Sequence, residues 1–200
     1  MTAPSAPPAR FHVRQKITPM QNTYRVFGDD GNGGPGSLVA FAKQKRMAFK
    51  ESFTLYSDEK AGRPVLTIKA DRKLDISSAM TVSDPSTGRP VGQLRKRAGA
   101  SLVRSTWELD EPGRPVVVVQ ERSMAIAVLR RVWGLIPFLN SIPVPWVFHF
   151  DGATTTGEPV LTHTRLWGIR DRYVLELSDP TRDARLAIAL AVCLDAMQKR

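Results

Sequence analysis

The sequence predicts a mainly β protein with one essential helix: an antiparallel β-barrel closed around a hydrophobic C-terminal helix. Three observations lead there. First, every residue from Leu186 to Leu194 is apolar. Nine residues make about two and a half helical turns, so the apolar surface runs all the way round. A surface helix keeps a polar stripe, whereas one that is apolar all round is enclosed. A bilayer span needs about twenty apolar residues, and Arg185 and Asp195 bound this run. Protein is therefore the expected enclosure. Second, the tetrapeptide Gly-Arg-Pro-Val recurs at residues 62–65, 88–91 and 113–116, with Gly-Glu-Pro-Val at 157–160. Third, a strand-like run follows each copy, at 65–70, 91–94, 116–120 and 160–164. Regular turns between short strands are the pattern of an all-β sandwich or barrel.

Taken in chain order, residues 1–10 are rich in Ala and Pro and read as a disordered tail. They lack the apolar core of a secretory signal. Residues 11–200 read as a single domain. The stretch 28–36 is a glycine-rich hairpin tip. As a phosphate cradle it fails, having two acids and no Lys-Ser/Thr; as a calcium loop it lacks the third oxygen ligand and the twelfth-position Glu. Each turn copy follows an acidic residue, Asp58, Asp84, Asp110 or Asp151. In such a turn Gly supplies a positive φ, and Pro opens the strand, where its missing N–H is tolerated. Residues 122–135 read as one extra helix, with Met124, Val128, Leu129 and Val132 on one face and Arg130 and Arg131 near its end. It stops before a rigid stretch containing Pro137, Pro143 and Pro145. The last helix has start signals in Asp179, Pro180 and Asp183. Finally, a shift of 121 residues lays 26–58 on 147–179 with eight identities in thirty-three positions, which suggests two related halves.

In its order of elements the chain resembles the tubby C-terminal-like superfamily, in its LURP-one-related and phospholipid-scramblase branch. The resemblance rests on Phe11-His-Val-Arg-Gln-Lys16, Tyr24-Arg-Val-Phe27, the run 38–58 with Lys43-Gln-Lys-Arg46 and Tyr56-Ser-Asp58, Val65-Leu-Thr-Ile-Lys69, Val91-Gly-Gln-Leu-Arg95, and the closing helix. It covers about residues 11–198. It implies a closed barrel of twelve strands wrapped around the C-terminal helix.

The chemistry points away from catalysis. His12, His149 and His163 are scattered among strand-like segments, with no cysteine or carboxylate at ligand spacing. There is no nucleophile elbow and no Walker loop. The chain is expected to be no enzyme and to use no metal or cofactor. Cys193, the only cysteine, lies in the apolar helix and acts as a small hydrophobe; the expected compartment is reducing and cytoplasmic.

The net charge of +10 lies almost wholly in residues 1–100 and favours an acidic partner. The candidate anion-binding residues are Lys43, Lys45, Arg46 and Lys50, the triplet Arg95, Lys96 and Arg97, and Arg130 with Arg131 beside Trp133, Phe138 and Trp146. Within a strand Lys43 and Lys45 share one face, and Arg46 and Lys50 the other. Cations beside aromatics suit a membrane interface, where Trp sits at headgroup depth. The expected function is binding of anionic phospholipid at the inner face of the membrane. A protein-interaction scaffold and scramblase-like lipid handling are the alternatives. Nucleic acid is a weaker one, since the strands show no aromatic stacking face.

Overall fold

Apolar and polar residues alternate along each strand, which sorts the side chains into an inner and an outer face. The computed structural model describes residues 9–18, 21–45, 52–71, 79–97, 105–123, 149–167 and 171–198. They form twelve strands: β1 (Ala9–Ile17), β2 (Gln21–Asp29), β3 (Pro35–Lys45), β4 (Ser52–Tyr56), β5 (Pro64–Ala70), β6 (Ala79–Ser83), β7 (Pro90–Lys96), β8 (Thr106–Asp110), β9 (Val117–Glu121), β10 (His149–Thr154), β11 (Pro159–Leu166) and β12 (Arg172–Leu177). One helix follows, α1 (Ala184–Gln198). Every strand pairs antiparallel with its chain neighbours, and β1 pairs with β12 to close the barrel. Closure removes every free sheet edge. The helix expected at 122–135 lies outside the described residues from Met124 onward.

The interior is filled by α1. All nine residues of its apolar run are at most 3% exposed. They meet inward-facing pairs such as Val13 and Tyr173, Leu55 and Leu66, Leu94 and Leu109, and Trp107 and Val119. An eight-stranded barrel is just wide enough to fill with its own side chains; twelve strands leave room for a helix. The fit is close at Gly92, where a Cβ would come within 2.5 Å of both Leu186 Cδ2 and the Asp110 carbonyl oxygen.

The antiparallel order gives the barrel two rims. The turn rim joins β2 to β3, β4 to β5, β6 to β7, β8 to β9, β10 to β11 and β12 to α1. The far rim holds the ends of β1, β3, β5, β7, β9 and β11, with the C-terminus of α1. The repeated tetrapeptides all lie on the turn rim, as the regular spacing predicts. Gly88, Gly113 and Gly157 take positive φ, but in the first copy Ala61 does so (φ 58°) in place of Gly62. Asp58 and Asp84 cap their turns by accepting the Lys60 and Ser86 amides. In the fourth copy Thr154 takes that role, accepting the Glu158 amide, while Asp151 pairs with Arg122.

Three further expectations change. Asp179 caps the turn at Thr181, and α1 begins only at Ala184, with the Asp183 carboxylate accepting the Arg185 amide. The strand β1 starts at Ala9, inside the stretch read as a tail. The 121-residue shift relates β2–β4 to β10–β12, eight strands apart in a barrel of twelve. It therefore does not superpose one half on the other. The matched Asp30-Gly31 and Asp151-Gly152 also occupy a hairpin tip in one case and a strand in the other.

Candidate functional site

Strand topology brings the candidate cations together at one end. Lys43 and Lys45 close β3 and Arg95 and Lys96 close β7, so both clusters reach the far rim, with β4, β5 and β6 between them. Arg46, Lys50, Arg130 and Arg131 lie outside the described residues, as do Trp133, Phe138 and Trp146.

The two described clusters differ. Lys43 is exposed on the outer face, its Nζ 5.4 Å from the centre of the Phe41 ring. In the β7 triplet, carboxylates surround the cations. Arg97 Nε donates to Glu108 Oε1 at 2.7 Å. Arg95 is the cross-strand partner of Glu108 and, with Gln93, Asp110 and Val116, lines a shallow groove of about 190 Å³. Lys96 Nζ lies 5.9 Å from the centre of the buried Trp107 ring.

Sequence reasoning missed a third group on the same rim. Arg172, Arg14 and Arg25 are consecutive cross-strand partners on β12, β1 and β2, and Phe41 on β3 continues the row. Lys16, Thr23 and Lys43 form the next row. Arg25 is neutralised by Glu59 through two hydrogen bonds of 2.7 and 2.8 Å, which hold the Glu59 carboxyl below its usual range. Arg14, Lys16, Lys43 and Arg172 are exposed and form no ion pair among the described residues. Period-two alternation along β1 is the one sequence signal that could have put Arg14 and Lys16 on one face; only the closing pair β1–β12 brings Arg172 beside them.

The barrel interior holds a second polar group. Where α1 reaches the far rim, the Tyr173 hydroxyl donates to Asp195 Oδ1, and Gln15 Nε2 donates to the Tyr24 hydroxyl at 3.0 Å. Burial, with the Asp195 carboxylate alongside, pushes the Tyr24 and Tyr173 phenols well above their ordinary range. His163 stacks on Tyr173 with ring centres 5.0 Å apart, 2% exposed and with neither ring nitrogen hydrogen-bonded. Burial alone lowers its pKa to about 4, and burial raises that of the Cys193 thiol to about 12. This group anchors the helix. Its members are each at most 7% exposed.

The other two histidines contact neighbouring polar side chains. His12 Nε2 lies 3.1 Å from Asp29 Oδ2, and His149 Nδ1 lies 3.3 Å from Thr164 Oγ1. His149 pairs across the hairpin with Thr164 and Phe150 with His163, so the two histidines face opposite sides of the sheet. In the 28–36 tip, Asp30 Oδ1 accepts the Asn32 and Gly34 amides, which uses that oxygen to shape the turn. No cluster of three metal-ligating side chains occurs among the described residues. None of their helices is long and apolar enough to cross a membrane.

No curated protein and no solved structure matches the chain. The family model for LURP-one-related proteins matches residues 38–195, from within β3 to the last turn of the enclosed helix. With that match over most of its length, and with a twelve-stranded barrel closed on its own C-terminal helix, the chain belongs to the LURP-one-related family.

Proposed function

We propose that this barrel is a non-enzymatic module that binds acidic phospholipid headgroups at the cytoplasmic face of a membrane, with the far rim as its binding face. The observation that carries this reading is the sorting of charge between the rims. Arg14, Lys16, Lys43, Lys45, Arg95 and Arg172 gather toward the far rim. The carboxylates Asp29, Asp58, Asp84, Glu111, Asp179 and Asp183 lie at the turn rim, where most of them pair with arginines such as Arg114, Arg182 and Arg185, so the positive charge leans toward the far rim. Such a polarised barrel approaches an anionic surface with one end leading. Each Lys or Arg near that surface contributes about 1 kcal/mol, so four to six of them suffice for reversible attachment.

Liposome co-sedimentation at near-physiological salt tests it, comparing neutral vesicles with vesicles containing phosphatidylserine and adding a polynucleotide competitor in parallel. Selective pelleting with the acidic vesicles, weakened when Lys43, Lys45 and Arg46 are replaced together by Ala, is the expected result. Absence of pelleting, or complete displacement by the polynucleotide, would refute the membrane reading.

A further inference from the structure

We propose that the arc of the far rim formed by β11, β12 and β1 seats the barrel on an anionic bilayer, with Ile17, Leu166 and Trp167 entering the headgroup layer and Arg14, Lys16 and Arg172 meeting lipid phosphates. The inference rests on the membrane reading above and assigns its docking surface.

Two independent observations converge on this arc. The first is apolar. Four large hydrophobic residues are exposed among the described residues, and three of them lie here: Ile17 at 45%, Leu166 at 38% and Trp167 at 77%. Single exposed hydrophobics are ordinary. These three stand at adjoining strand ends. Leu166 is the cross-strand partner of Arg172, and Arg172 of Arg14, with Ile17 three residues beyond Arg14. Leu166 and Arg14 are thus two strand spacings apart, about 10 Å. An indole beside aliphatic side chains is the composition that settles at the membrane–water interface.

The second observation is electrostatic. Arg172 and Arg14 stand directly opposite each other on adjacent strands, and like charges so placed destabilise a sheet. In the same row Arg25 is relieved by Glu59, but neither Arg14 nor Arg172 forms an ion pair among the described residues. The Arg14 guanidinium lies 5.1 Å from the centre of the Phe27 ring, a stacking that orients it without neutralising it. Guanidinium groups recognise phosphate through paired hydrogen bonds, and Lys16 adds a cation on the same face of β1. The charge of this arc is complementary to an anionic lipid surface, and its indole and aliphatic side chains suit the interfacial layer of such a surface.

The test uses the whole chain with phosphatidylserine-containing vesicles and lipids brominated at shallow acyl positions as fluorescence quenchers. The chain has four tryptophans, Trp107, Trp133, Trp146 and Trp167, so Trp167→Phe identifies the signal of that indole. Expected are quenching by the shallow labels that falls away in Trp167→Phe, and a roughly 30-fold weaker partition for the double variant Arg14→Gln/Arg172→Gln, from about fivefold per charge. All three positions are exposed, so thermal midpoints should equal the parent's for Trp167→Phe and equal or exceed it for the double variant, which loses the Arg14–Arg172 repulsion; either result excludes misfolding as the cause. If the parent pellets with acidic vesicles but Trp167→Phe keeps the full quenching, or the double variant binds as the parent does, this docking surface is wrong and the membrane reading stands. If the parent does not pellet at all, both are overturned.

Discussion

The two rims of the barrel are built from the same strands and solve opposite problems. At the turn rim the charges around the start of α1 are paired. Arg182, with its side chain 5% exposed, lies 3.3 Å from Glu111 and donates to the Pro115 carbonyl at 3.0 Å, while Glu111 also accepts the Asp183 amide at the start of α1. Arg185 bridges Asp183 and Asp84 at 2.7 and 2.8 Å. Hydrogen bonds from Ser86, followed by Arg185, hold the Asp84 carboxyl down at about 2. Arg114 reaches the Thr181 carbonyl and hydroxyl at 3.0 and 2.8 Å. These contacts fasten the helix to the turns around it. At the far rim, Arg14, Lys16 and Arg172 have no such partners among the described residues, Lys43 acts on Glu59 without forming an ion pair, and Trp167 faces water. Charges that hold a fold together are satisfied within it. Charges left over, next to apolar surface, are where a partner is expected.

The largest effect should come from the element that joins the rims. Leu190 is fully buried, and Leu190→Asp puts a carboxylate among apolar side chains. A loss of more than about 4 kcal/mol is expected, seen as an unfolded far-ultraviolet spectrum; a folded, soluble variant would contradict the enclosed helix. A paired substitution then compares the rims. Glu111→Ala leaves Arg182 and the Asp183 amide short of a partner inside the turn rim and should cost about 2–3 kcal/mol in urea unfolding. Glu108→Ala removes the partner of Arg97, whose side chain is 54% exposed, and should cost under about 1 kcal/mol. Equal costs would erase the distinction.

His163 adds a dependence on pH. Folded, it stays uncharged down to about pH 4, whereas its ordinary value is 6.5. Between those values the unfolded chain binds the extra proton. The His163 contribution is therefore fully present above pH 6.5 and is lost as pH falls through the window, by roughly 3 kcal/mol at its lower end. His163→Phe keeps an aromatic ring against Tyr173 and removes two unbonded polar atoms. Its thermal midpoint should exceed the parent's, and by more at pH 5 than at pH 8. The smallest effect is at Ala61, which takes a positive φ where three related turns have Gly. Ala61→Gly should be neutral to about 1 kcal/mol stabilising, and Gly157→Ala should cost about that much.

Much of the architecture was legible because it depends on short-range pattern. Nine apolar residues in succession require enclosure wherever they sit, and Gly-x-Pro-Val marks a turn from its own backbone constraints. Where local signals competed, the structure chose. Asp179 and Asp183 are both good caps: Asp179 closes the turn at Thr181, and Asp183 accepts the Arg185 amide at the start of α1. The internal repeat was misread because similar hairpins share residues without sharing a place in the barrel.

The candidate site was only half legible. Runs such as Lys43-Gln-Lys-Arg46 and Arg95-Lys-Arg97 stand out by composition, but composition does not show that Glu108 and Asp110 would face the second run. Arg14 and Arg172 drew no notice, being 158 positions apart in the chain. By itself the sequence determined the strands, their turns and the buried helix, because hydrophobic alternation and backbone sterics act over a few residues. Only closure of β1 on β12 decided which cations stand side by side and which find a carboxylate, because electrostatic interactions depend on distance in space.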